Sequence, residues 1–195
     1  MPKRRGRIFI ISSPSGCGKT TLLNSLKKSK FDIERSVSAT TRRPRKAEKN
    51  KRDYYFLKEP DFKRLLRRGE FLEWTDNFGD LYGTPRRFVG GAISKGKDII
   101  LSIDVKGAMA VKKIYKDAVL IFLLPPSMKI LEKRLKGRKS EGREMVFKRL
   151  RAAQKELSYL NRYDYKIVNA NLAKAVKTLK AVITAERNRR RKLYV

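Results

Sequence analysis

Histidine is absent from this 195-residue chain, and there is one cysteine, Cys17. Without an imidazole no Ser-His-Asp or Cys-His arrangement can form, because no residue is left to act as the base. One cysteine and no histidine cannot supply the ligands of a structural zinc site, nor can one cysteine close a disulfide within the chain. Acidic residues are scarce as well: 19 Asp and Glu stand against 50 Lys and Arg, a formal net charge of +31. Any chemistry must run on carboxylates, lysine, arginine and hydroxyls. The positive field favours polyanionic partners, whether nucleotides, nucleic acid or an anionic membrane. Long hydrophobic runs are missing too. The longest apolar stretch, Ala118 to Pro126, falls far short of the roughly 18 residues of a spanning helix. After the basic Lys3 to Arg7, the apolar run Ile8 to Ile11 is shorter than the roughly 7–15 residues of a secretory signal. A soluble, cytoplasmic protein is expected. The length fits one domain, or a core with small insertions, able to bury its core without covalent staples.

What is present alternates between two periods. Arg7 to Ser12 is a β-branched and aromatic run, followed by a Ser/Pro/Gly turn and a helical segment from Thr20 to Leu26. Asp98 to Ile103 and Ala118 to Leu124 are continuous apolar runs of the kind buried on both faces of a sheet, each followed by a helical pattern. Val146, Leu150, Ala153, Leu157 and Leu160 mark one face of a long helix over Glu144 to Asn161. Tyr165 to Val168 reads as a last strand, and Leu172, Val176, Leu179 and Ile183 as a last helix. Such alternation predicts a parallel α/β sheet. Two regions depart from it. Residues 36–91 hold shorter strands, Asp53 to Leu57 and Glu70 to Thr75, with a helix near Asp61 to Arg68. They also hold 8 of the 19 carboxylates, and they read as a small mixed insertion. Residues 127–162 place Gly137 to Gly142 between two basic helical segments and read as a hinged lid.

Ser13-Pro14-Ser15-Gly16-Cys17-Gly18-Lys19-Thr20 has the spacing of a Walker A phosphate loop, between a strand and a helix, with only its first glycine missing. Such a loop wraps backbone N–H groups around phosphates at a helix N-terminus. Lys19 would reach the β and γ oxygens and Thr20 would offer a hydroxyl to Mg²⁺. Cys17, near that helix start, could have thiolate character or simply fill a small loop position.

The ordered set Ser13 to Thr20, Ser38 to Arg45, Asp53-Tyr54, Phe71 to Trp74, Tyr82-Gly83-Thr84, Ile103-Asp104, Leu135 to Arg138 and Ile167 to Asn169 resembles the guanylate kinase family over nearly the whole chain. The resemblance implies a P-loop kinase of the α/β class. Its parallel five-stranded core sheet, flanked by helices, would span residues 1–35, 92–126 and 163–195. A small mixed GMP-binding insertion would span 36–91 and a helical lid 127–162. It implies transfer of the γ-phosphoryl group of ATP to GMP with Mg²⁺ as cofactor. Arg42, Arg45, Tyr54 and Tyr82 match the family's ligands of the GMP phosphate. A phosphate monoester does call for bidentate cations and hydroxyl donors. Glu73 matches the guanine-reading carboxylate, with Ser38 and Thr84 as hydroxyl partners, and Asp104 stands near the nucleotides. Arg134, Arg138 and Arg149 match the lid arginines, and Asn169 a position on the adenine side. Where the family usually shows Asp-x-Asp-x-Gln-Gly, this chain has Ser102-Ile103-Asp104-Val105-Lys106-Gly107, so the first acid and the Gln are absent. Two other readings stand beside this one: a non-catalytic kinase-like module that binds phosphopeptides through Arg42 and Arg45, and a basic nucleic-acid-binding protein.

Overall fold

A computed structural model describes residues 5–137 and 143–189. The chain begins with β1 (Ile8–Ser12), α1 (Lys19–Lys28), β2 (Glu34–Arg35) and β3 (Ala39–Thr40). Then come β4 (Tyr55–Phe56), α2 (Glu59–Arg67), β5 (Phe71–Asn77), β6 (Asp80–Pro85) and α3 (Arg86–Ser94). It continues through β7 (Ile99–Ser102), α4 (Val105–Ile114), β8 (Val119–Leu124), α5 (Met128–Lys136) and α6 (Arg143–Leu157). A 3-10 turn at Leu160–Arg162, β9 (Tyr165–Val168) and α7 (Leu172–Asn188) complete it. Five parallel strands in the order β2-β7-β1-β8-β9 form one sheet with helices on its faces, the α/β architecture expected from the alternating pattern. A second, four-stranded sheet runs β4-β3-β6-β5. It is mixed, since β3 pairs parallel with β4 but antiparallel with β6.

The described residues fall into two compact units, one of residues up to 11 and 32–119, the other of 12–31 and from 120 onward. In the first, Ile8 to Ile11 lie in register with Ile99 to Ser102, and these apolar runs are buried because both faces of a central parallel strand are covered. The mixed sheet has its own small core, in which Phe62 of α2 stacks on Phe71 of β5 at 4.5 Å and Ala39 belongs to the same buried cluster. α2 starts where Glu59-Pro60-Asp61 supplies an acidic first turn and a proline whose missing N–H is not needed there. In the second unit, Ile121 to Leu124 pair with Tyr165 to Val168, and α7 buries Ala175, Val176, Leu179, Val182 and Ile183 along one face.

Three features differ from the sequence pattern. β2, β3 and β4 are two residues long, too short to show a period of two. α3 carries Gly90 and Gly91, which lower its intrinsic helix preference, and the pattern did not reveal it. The long helix over Glu144 to Asn161 is α6, which ends at Leu157 before the 3-10 turn; Ser158 Oγ donates back to the Lys155 carbonyl at that break.

Candidate functional site

The predicted site residues gather into two sets, each inside one unit. The first surrounds the phosphate loop. Gly16 and Gly18 have φ of 94° and 88°, a left-handed backbone that favours glycine. Space reinforces the requirement: a Cβ at Gly18 would stand 2.6 Å from Asn169 Nδ2, and one at Gly16 3.0 Å from Leu131 Cδ1. Ser13, where a Walker A loop begins with glycine, is absent from the residues with positive φ, so its side chain brings no left-handed strain. No side chain caps the start of α1 and its first turn has no acidic residue, so the loop ends at a helix N-terminus whose partial positive charge suits an anion. Lys19 and Thr20 are the first two residues of that helix, Lys19 half-buried and Thr20 exposed.

Asn169, buried just past β9, donates from Nδ2 to the Cys17 carbonyl at 2.7 Å, and its own carbonyl accepts from Arg134 Nη2 at 3.1 Å. Arg149 Nη1 donates to Ser15 Oγ at 2.5 Å. Arg149 and Asn169 are therefore joined to the loop by direct bonds, Asn169 bracing its backbone, and Arg134 is tied to it through Asn169. Arg138 lies outside the described residues.

Cys17 is fully buried in this loop. Burial, and next the Glu156 carboxylate, push its thiol up to about 12 against the opposing pull of Arg134 and Lys19. The helix start does not make it a reactive thiolate. At pH 8 only about one thiol in ten thousand would be ionised, so alkylation by iodoacetamide should be at least about 100-fold slower in the folded protein than in urea. Comparable rates would show the thiol to be open and ionisable.

The second set lies on the mixed sheet and the loop after β3. Phe71, Leu72 and Glu73 are buried in succession, which a regular alternating strand cannot do. The ladder shifts register between Phe71 and Glu73, and this bulge turns Glu73 inward opposite Thr84 of β6. Thr84 Oγ1 donates to Glu73 Oε1 at 2.5 Å, with both residues buried. Ser38 is buried just before β3, and its carbonyl accepts from the Tyr55 N–H. Asp104 caps α4 by accepting the Gly107 N–H at 2.8 Å. Ser102 ends β7 half-buried and Lys106 is exposed.

Arg42 sits 5.5 Å from the Tyr54 ring centroid, and the Tyr54 and Tyr82 rings meet edge to face at 6.0 Å. Its Nη2 donates to both oxygens of Glu48, at 2.9 and 2.8 Å, and Nη1 to the Arg43 carbonyl at 2.7 Å. Burial works against the Arg42 charge, but the Glu48 hydrogen bonds and neighbouring Tyr82 outweigh it and hold the pKa above the usual arginine range. Burial likewise pushes the Tyr54 phenol up, keeping it a neutral donor. Arg45 contributes its backbone N–H to Glu48 Oε2 at 2.9 Å while its side chain is exposed. Glu48 was missed by the motif reading, although it is the one carboxylate between Arg42 and Arg52. Such isolation within a basic run was the available signal.

The guanylate kinase family model matches residues 5–186. The chain belongs to the guanylate kinase family. A guanylate kinase of Caldanaerobacter subterraneus subsp. tengcongensis is 40% identical, with 99% of this chain and 95% of that protein covered. One of Koribacter versatilis is 46% identical, covering 95% of this chain and 81% of its own length. The crystal structure of guanylate kinase from Anaplasma phagocytophilum superposes with a TM-score of 0.82 at 36% identity, over 97% of this chain and 90% of that one. Membership makes the chain a phosphotransferase.

Proposed function

We propose that this chain, an enzyme that phosphorylates GMP at the expense of ATP, divides the reaction between the two residue sets. Residues 13–20 hold the ATP phosphates, and Lys19 neutralises charge at the β and γ oxygens. Arg42, Arg45, Tyr54 and Tyr82 take the GMP phosphate, whose oxygen attacks the γ-phosphorus while the bond to the β,γ-bridging oxygen breaks and ADP leaves. Arg134, Arg149 and Arg138 offset charge as the phosphoryl group moves. Glu73, Thr84 and Ser38 read guanine, with Asp104 beside them, and Asn169 holds the loop that receives ATP. In this reading residues 36–91 form the GMP-binding insertion, 127–162 the lid, and the remainder the core.

Thr20 fits Mg²⁺, because its hydroxyl is a hard oxygen donor, exposed at the loop's end. Among the described residues no group of three or more acidic or sulfur side chains offers an all-protein cage, so Thr20 and the ATP phosphates would hold the ion. When bound it neutralises phosphate charge. No described helix is long and apolar enough to cross a membrane. Cytoplasmic location is part of the proposal and rests on its two soluble nucleotide substrates.

The observation that carries the reading is the buried pair of Glu73 and Thr84. Guanine presents N–H donors at N1 and N2 where adenine does not, and a buried carboxylate left without donors is strongly unfavourable. ADP release measured with GMP, dGMP, AMP and UMP should favour GMP over AMP and UMP by at least about 100-fold. AMP turning over as fast as GMP would remove the guanine assignment, and a phosphopeptide module would release ADP with none of them.

A further inference from the structure

Gly107 lies in the first turn of α4, in an ordinary helical conformation that any residue could adopt. What distinguishes it is its neighbour. A Cβ built there would fall well inside van der Waals contact of Glu73 Oε2, 2.9 Å from Glu73 Cδ and 3.4 Å from Asp104 Oδ1. The helix cannot give way easily, because Asp104 holds the Gly107 N–H through its side chain and the Ala108 N–H through its carbonyl, while Val105 and Ala108 are buried. The Glu73 carboxylate cannot move without loss either, since Oε1 takes the Thr84 hydroxyl at 2.5 Å. Three constraints meet at one carboxylate: the β5 bulge turns it inward, Thr84 fixes one oxygen, and the absent side chain of Gly107 leaves room for the other.

We infer that Gly107 is a positioning residue for base selectivity, keeping the Glu73 carboxylate at the depth where it meets the guanine edge. The inference rests on Glu73 reading guanine and adds that a residue with no side chain of its own sets the geometry of that reading. In most helices Gly→Ala is neutral or stabilising, since alanine loses less conformational freedom on folding. Here the same change forces Oε2 away and loosens the Thr84 bond. A loss of GMP selectivity with ATP binding unaffected is a signature that a purely structural glycine would not give.

The experiment compares the full-length protein with Gly107→Ala, Glu73→Gln, Glu73→Asp and the Gly107→Ala/Glu73→Asp double variant, measuring KM for GMP, IMP and ATP together with Tm. IMP lacks the N2 amino group and so reports whether the carboxylate spans both donors. For Gly107→Ala, KM for GMP should rise about tenfold and the preference for GMP over IMP should fall by a similar factor. KM for ATP should stay within about twofold of wild type, with Tm lowered no more than by Glu73→Gln. Glu73→Asp should be less damaging beside alanine at 107 than beside glycine, because the shorter side chain withdraws from the new methyl group. Should Glu73→Gln weaken GMP while Gly107→Ala leaves it untouched, Gly107 has no positioning role and the reading of Glu73 survives. Should Glu73→Gln leave GMP unaffected, the reading of Glu73 falls and takes the inference with it. A drop in Tm of Gly107→Ala with GMP and ATP weakened together would mark a general lesion and also overturn the proposal.

Discussion

Replacing Lys19 by methionine should lower turnover by at least about 1,000-fold, roughly 4 kcal/mol of transition-state stabilisation. Phosphoryl transfer leaves the protein little covalent work, so a cation held at the β and γ oxygens acts on most of the barrier that the enzyme can influence. Methionine preserves the unbranched stem and helix preference of lysine and removes the charge with its N–H donors. The apolar face of α1, Leu22, Leu23 and Leu26, is untouched, so Tm should change little. GMP affinity should stay within about threefold, because the residues assigned to GMP lie on the mixed sheet, its loop and the start of α4. The checks are single-turnover transfer, GMP binding by calorimetry and thermal unfolding. A variant that keeps more than a tenth of wild-type turnover would show that residues 13–20 do not hold the transferred phosphate.

How much of this was legible in the sequence follows from which physical signals act locally. β1, β7 and β8 announce themselves because a strand buried on both faces must be apolar throughout, and the phosphate loop because its glycines and lysine are fixed in spacing. The Glu73–Thr84 pair was named from motif order, but its burial depends on a bulge that changes the strand's period at a single residue. No pattern of alternating residues announces that. Gly107 was seen as part of a motif, while its function depends on a strand distant in sequence. Glu48 stood in a basic loop without regular structure, where no periodicity applies. The consequence of serine at position 13 could not be judged from composition, because the question was one of φ, and the backbone answers it.

The second large effect is expected at Arg42. A guanidinium has five N–H donors, and here two go to the Glu48 oxygens and one to the Arg43 carbonyl. Glu48 is itself held by the Arg45 N–H, while its own N–H donates to the Arg45 carbonyl. The acid is therefore built into the loop and sets the direction of the fork. Tyr54 and Tyr82 neighbour the same guanidinium, and in the proposed reading the three take the GMP phosphate together. Lysine at this position keeps the charge but has no planar fork, so it cannot serve Glu48 and a phosphate at once. Arg42→Lys should lower kcat/KM for GMP by about 100-fold, mostly through KM, because charge-assisted bidentate bonds are lost from bound nucleotide as well as from the transition state. KM for ATP should stay within about twofold, since Arg42 is assigned to the GMP phosphate and the ground-state binding of ATP to residues 13–20. Glu48→Gln should produce a smaller effect of the same kind, about tenfold in KM for GMP, since the amide keeps one acceptor but loses the charge that holds the fork. Initial rates with GMP varied at saturating ATP, and then the converse, decide the matter. If Arg42→Lys leaves KM for GMP within about threefold, Arg42 is an ion-pair partner of Glu48 that braces the loop, and the GMP phosphate must be held by other cations.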